Sequence, residues 1–226
     1  MNLSKPALFF FVLLLTVFKV SAQSTSTVVE YFVNGENGLI RKGTYEDVDG
    51  TPFMYNKFLP GKAVTTTGKV YDNIKLNYNL YDDMLLFVYD TSDKAMKFEE
   101  QIKSFTIYTP LSPMFANGYP AIDKQTAGSY YEVLSSNGKV ALLKHQGKLL
   151  NKVKNYDATE TRKFQDYTNY YVYKNNKLEK FEKSKSAVLT ALADKKTELD
   201  VYLKTAGLNF KKDEDLAKIF DYYNTL

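Results

Sequence analysis

The sequence predicts an α+β protein: a mainly antiparallel β-sheet domain, folded as a sandwich, roll or open barrel, followed by two or three C-terminal helices. Three observations carry this. Tyr and Phe are abundant, at 19 and 15 residues, while Trp and Cys are absent, and aromatic side chains suit the half-buried surface of a strand. Short apolar or alternating segments punctuated by turn residues recur up to about residue 182, which suits an antiparallel meander and not a βαβ sheet. After Lys183 the apolar spacing changes from the period of a strand to that of a helix.

Three regions follow from N- to C-terminus: a signal peptide over residues 1–22, a β-rich domain over 23–183 and a helical appendix over 184–226 packed on it. Lys5 precedes an apolar run from Ala7 to Phe18, and Val20-Ser21-Ala22 supplies small residues for cleavage before Gln23. An uncleaved anchor is the alternative, but the run is short for a hydrocarbon core and Lys19 interrupts its end. With no cysteine after Ala22 there is no lipidation site, and no later segment reads as a membrane-spanning helix.

The clearest strand is Ile74 to Leu80, where Ile74, Leu76, Tyr78 and Leu80 alternate with Lys75, Asn77 and Asn79. Asp82-Asp83 marks a turn, and the apolar run Met84 to Tyr89 reads as a strand covered on both faces. Thr91-Ser92-Asp93 turns the chain toward Ala95–Phe98. Further strands are expected at Lys62–Thr66, Phe105–Tyr108, Tyr130–Leu134, Val140–Lys144 and Tyr170–Lys174. Asn137-Gly138 and Asn175-Asn176 read as tight hairpin turns, the first of type I′, because Asn and Gly tolerate positive φ. In the appendix, Ser184 or Ser186 caps a helix carrying Val188, Leu189 and Leu192, and Asp194 caps a second through Leu199, Tyr202 and Leu203. A last helix starts near Asp213, with Leu216, Ile219, Phe220 and Tyr223 on one apolar face that must be buried.

Composition removes several function classes. Without cysteine there are no disulfides, thiol nucleophiles or thiolate metal sites, and a single histidine, His145, excludes clustered-His metal centres. His145 stands beside Lys144 near the end of an expected strand and reads as a surface residue. Phosphate-cradling and dinucleotide motifs are absent, so no nucleotide and no cofactor is expected. Charge is uneven: residues 24–138 hold 10 basic against 14 acidic side chains, and residues 139–185 hold 12 against 5. Such a basic middle meets an anionic envelope surface, or lines the solvent faces of strands.

Candidate sites are few. Asp82/Asp83 and Glu99/Glu100 are adjacent carboxylate pairs, but sequence neighbours on a strand face opposite ways, so neither pair is a glycosidase dyad by itself. Asp47-Val48-Asp49-Gly50 resembles a fragment of a calcium loop without its closing Glu, so it reads as a turn. Tyr130, Tyr131, Tyr170, Tyr171 and Tyr173 form the candidate binding surface, since exposed rings stack on sugars; paired tyrosines nonetheless send one ring to each face.

The run Tyr45-Glu46-Asp47-Val48-Asp49-Gly50-Thr51-Pro52-Phe53, then Gly61 to Val64, then Leu76-Asn77-Tyr78-Asn79-Leu80-Tyr81-Asp82-Asp83, resembles a pattern in short, uncharacterised exported proteins of Bacteroidota-type bacteria. There the pattern reads roughly Y-x-D-V-x-G-[ST]-P-[FY], a Gly-rich turn, then L-x-Y-x-x-Y-x-D, and Tyr222-Tyr223-Asn224 is similar to its C-terminal end. The resemblance implies a place in the periplasm, outer envelope or medium of a Gram-negative cell. It implies no activity and no binding residues.

The expected function is therefore that of an exported, non-enzymatic binding or structural protein of the cell envelope, with a glycan, an envelope protein or an anionic envelope surface as partner. The alternative is a carbohydrate-active hydrolase using carboxylates, which requires two acids distant in sequence to converge in one cleft.

Overall fold

The computed structural model describes residues 31–33, 39–41, 45, 48–89, 95–154 and 160–226. The expected leader, the Asp47 end of the calcium-like fragment and the turn at Thr91-Ser92-Asp93 lie outside the described residues. The strands are β1 (Tyr31–Val33), β2 (Leu39–Arg41), β3 (Val48–Asp49), β4 (Leu59–Thr65), β5 (Val70–Asn79), β6 (Met84–Val88) and β7 (Met96–Lys97). They continue as β8 (Ile102–Ile107), β9 (Met114–Ala116), β10 (Tyr131–Ser135), β11 (Val140–Lys154), β12 (Glu160–Lys174) and β13 (Lys177–Phe181). Three α-helices close the chain: α1 (Lys185–Ala191), α2 (Lys196–Thr205) and α3 (Asp213–Thr225).

β1 and β2 pair with each other, and the other 11 strands form one open sheet in the order β13-β12-β11-β10-β9-β8-β4-β5-β6-β7 with β3 beside β12. All its pairings are antiparallel except β3 with β12. The α+β class read from the sequence is thus the fold. After β7 the chain returns to lay β8 against β4, and the strands of this half close over Leu76, Tyr78, Phe87, Phe105, Ile107 and Phe115. Gly61 is needed there: a Cβ would stand 2.5 Å from the Thr106 carbonyl oxygen and 2.8 Å from Leu76 Cδ1.

The other half is built on the hairpin of β11 and β12, which stays in register from Val140↔Lys174 to Lys154↔Glu160. Only the start of β11 and the end of β12 were expected, because Lys148, Asn151, Lys152 and Lys154 dilute the apolar alternation beyond Lys144. Neighbours hold the far half. Leu80 accepts a hydrogen bond from the Lys148 amide at 3.1 Å, β3 pairs with Arg162 and Lys163, and Tyr45, Tyr81 and Phe164 meet ring to ring at 5.2–5.8 Å.

The turns divide into two kinds. Asn175 and Asn176 both take positive φ, 52° and 59°, and close the expected two-residue turn between Lys174 and Lys177. Asn137-Gly138 does not form the expected type I′ turn, since neither residue has positive φ. Gly138 is instead a point of close approach, where a Cβ would lie 2.7 Å from Asn224 of α3.

The helices pack on one face of the β10–β13 region. Leu216, Ile219, Phe220 and Tyr223, the apolar face read from the sequence, are all buried against Val140, Leu142, Val172 and Phe181. Ser184 caps α1 by accepting from the Ala187 amide at 3.2 Å. Asp194 does not cap α2 as expected; it sits in a 3-10 turn and binds Lys174 at 2.6 Å and the Tyr223 hydroxyl at 2.8 Å. The opposite face of the sheet is covered by Tyr119 and Ile122, against Tyr131, Leu143, Tyr171 and Leu178. Among the described residues, no helix is long and apolar enough to cross a membrane.

Candidate functional site

The five tyrosines of the sequence-based binding surface do not share a surface. Tyr131 and Tyr171 are fully buried and meet edge to face at 5.5 Å. Tyr130 enters the other core and donates its hydroxyl to the Ile102 carbonyl at 2.8 Å. Tyr170 lies on the helix side, bonded to Asp213 at 2.8 Å, and half-buried Tyr173 packs edge to face on Tyr119 at 5.2 Å. The strand pleat is the cause: neighbours in Tyr130-Tyr131 and Tyr170-Tyr171 point to opposite faces, and both faces here are covered.

His145 is 4 % exposed, so the expectation of a surface histidine is overturned; its strand runs on past the expected end at Lys144 to Lys154, which places it inside the strand. It lies between Tyr131 and Tyr167, with ring centroids 5.5 and 5.8 Å away. Burial pushes its pKa down, and the Asp83 carboxylate opposes this. His145 Nδ1 and Tyr131 Oη have no hydrogen-bond partner among the described residues.

Part of the basic middle of the chain is paired with acids by the fold. Lys144 pairs with Glu132 and Asp213, Lys148 with Asp166, Lys174 with Asp194, Lys180 with Asp123 and Lys183 with Asp213. Asp213 is buried enough to favour its neutral form, but hydrogen bonds from Lys183, Tyr170 and Lys144 outweigh this and hold it below the ordinary carboxylate range.

Two adjoining pockets with polar and aromatic walls lie at the Lys97–Gln101 connection between β7 and β8. On one side lies a pocket of about 240 Å³ whose polar lining includes Asp83, Lys97, Glu100, Gln101 and Asn117, with Tyr130 beside them. On the other lies a pocket of about 150 Å³ lined by Tyr71, Phe87, Tyr89 and Phe98 with Glu99 and Glu100. Lys97, Phe98 and Glu100 line both, so the two adjoin. The strand register explains the gathering. Phe87 and Tyr89 are two residues apart along β6 and its end, Tyr71 stands at the start of β5, and Phe98 follows β7. Phe87 is buried, Tyr71 and Phe98 are half-buried, and Tyr89 is 56 % exposed.

Glu100 is fixed at this site by Lys69 at 2.7 Å and by the Tyr71 hydroxyl at 3.0 Å, which hold its carboxyl below the usual range. Asp83, held at a positive φ of 52° in the β5–β6 turn, accepts from the Tyr78 hydroxyl and from the Tyr130 amide at 3.3 Å. One member of each adjacent carboxylate pair thus reaches the larger pocket. The sequence reading missed the four rings, although Phe87 and Tyr89 at strand spacing were a usable signal; Tyr71 and Phe98 join them only through tertiary structure.

Among the described residues no group of three or more His, Asp or Glu side chains is placed to hold a metal ion. Val48 and Asp49 of the calcium-like fragment form β3. No protein-family model matches the chain, no curated protein matches it in sequence, and no solved structure matches its fold.

Proposed function

We propose that this is an exported binding protein of the cell envelope that takes its ligand in the groove along Lys97–Gln101. The leader-like first 22 residues motivate the export assignment. The observation that supports the binding assignment is the junction of a polar pocket and an aromatic pocket across Phe98. Concave sites of this kind, with apolar walls and a few convergent polar groups, are where small ligands lose most water and gain orientation. The test is equilibrium binding of a panel of soluble glycans, lipid headgroups and short peptides to the protein and to a Tyr89→Ala/Phe98→Leu double variant. Binding that the double variant loses supports the reading, and a panel that binds both proteins equally, or neither, counts against it.

A second reading, a carbohydrate-active hydrolase, draws on Asp83 and Glu100, which are distant in sequence and line one pocket. It requires one carboxyl to stay protonated near neutral pH as general acid, and Glu100 is pulled the other way by Lys69 and Tyr71. Asp83 would therefore have to be the acid. Turnover of a glycan substrate that Asp83→Asn abolishes would favour this reading; turnover unchanged by that substitution, or none, would remove it.

A further inference from the structure

The ring arrangement in the smaller pocket narrows the chemistry of its occupant. Tyr71, Phe98, Phe87 and Tyr89 are linked in series, with centroid separations of 5.4, 4.6 and 5.4 Å and interplanar angles of 57°, 41° and 87°. Because each ring is turned from the last, they wall a pocket of about 150 Å³ instead of forming one flat platform. A sugar ring stacks best on a flat exposed face. A rounded group enclosed by several rings meets the negative faces of their quadrupoles, which attract a cation and offer a neutral group only contact.

Charge on the walls is balanced: Glu99 and Glu100 line the pocket with Lys97, and Lys69 pairs with Glu100 at 2.7 Å, so the rings carry the preference for a cation and Glu99 only adds to it. The molecule uses this chemistry at Tyr223 under Lys174 and at Tyr170 under Lys183, and also at this site, where Lys69 Nζ stands 4.6 Å from the Tyr71 ring centroid and 2.7 Å from Glu100 Oε1. A primary ammonium needs acceptors for three N–H groups; each N-methyl group removes one of these needs and presents a methyl to the rings, and a quaternary ammonium needs none.

We propose that this pocket holds the quaternary or N-methylated ammonium head of an organic cation. The proposal rests on the reading of the groove as the ligand site.

The experiment is an NMR titration of the full chain, followed at the Tyr71, Tyr89 and Phe98 rings, with choline and with 3,3-dimethylbutan-1-ol, its uncharged isostere. Choline should bind about tenfold more tightly than the isostere. Glu99→Gln, at an exposed position, should shrink that preference, and Phe98→Leu should abolish choline binding. Equal or tighter binding of the isostere overturns the proposal, as does a choline affinity unchanged in both variants. A neutral disaccharide that moves these rings while choline does not overturns the cation assignment and leaves the groove as the ligand site. No response at these rings to any of the three probes overturns both.

Discussion

Lys144 Nζ lies 3.0 Å from Asp213 Oδ2, joining the middle of β11 to the first residue of α3. Both groups are also held elsewhere: Lys144 by Glu132 at 2.9 Å, and Asp213 by Lys183 at 2.9 Å and the Tyr170 hydroxyl at 2.8 Å. The side chains are only 18 % and 22 % exposed, so this network is shielded more than a surface pair. The excess of lysine between residues 139 and 185 is thus in good part the complement of acids on the helices and on neighbouring strands.

Replacing Asp213 by Asn should lower stability by about 1–3 kcal/mol, since two lysines and a tyrosine lose a charged partner in a half-buried place. The pH dependence has a defined sign. The folded-state pKa of Asp213 is depressed, so its contribution is present above the unfolded carboxylate pKa of about 4 and is lost as pH falls through the folded value. Urea denaturation over an acid pH series should show a shallower acid decline for the variant; parallel profiles would contradict the network.

The apolar face of α3 should dominate the docking of the helices. Phe220 is fully buried against Phe181 and the other helices, and Phe220→Ala should cost about 3–5 kcal/mol by loss of burial and the cavity left behind. Removing residues 212–226 should destabilise the protein further still. Thermal melts of both variants check this, and a truncated protein as stable as the parent would mean that the face is not packed on the sheet.

Gly138 should resist even alanine. The Asn224 side chain that its Cβ would strike accepts from the Val140 amide at 3.1 Å and donates to the Val140 carbonyl at 2.9 Å. Gly138→Ala should cost about 1–2 kcal/mol by displacing these bonds. In an Asn224→Ala background the same change should cost much less, a non-additivity that a double-mutant cycle measures.

His145 should make the protein less stable on mild acidification. Its folded pKa is depressed by burial, so between the unfolded value of about 6.5 and the lower folded value the unfolded chain takes up a proton that the folded one refuses. Stability therefore falls as pH drops below about 6.5. His145→Phe should flatten the profile below about pH 6.5; an unchanged slope there would show that His145 does not titrate as an interior group.

The elements that were legible in the sequence are those where one local rule acts alone. Ile74 to Leu80 alternates cleanly, Asn175-Asn176 satisfies its own turn, and Leu216, Ile219, Phe220 and Tyr223 repeat at helical spacing. What the sequence concealed depended on a distant partner. The far half of the β11–β12 hairpin is held by Leu80, β3 and the rings of Tyr45 and Tyr81, none of them its sequence neighbours. That extension is what carries His145 indoors. Gly138 read as a turn residue because Asn224, its real constraint, lies at the other end of the chain. The tyrosine pairs drew attention as a surface, yet both faces of their strands are covered, and the rings that do gather at a groove come from three places, β5, β6 and its end, and the residue after β7.

The central claim is that ligand is taken at the Lys97–Gln101 groove. Aromatic NMR spectra of the chain, recorded against the glycan, headgroup and peptide panel, test it most directly. The account predicts that a binding member shifts Tyr71, Tyr89 and Phe98 before any other rings, while Tyr131 and Tyr171, sealed in the opposite half of the sheet, stay fixed. Binding that moves Tyr131 and Tyr171 and leaves the groove rings in place would contradict it.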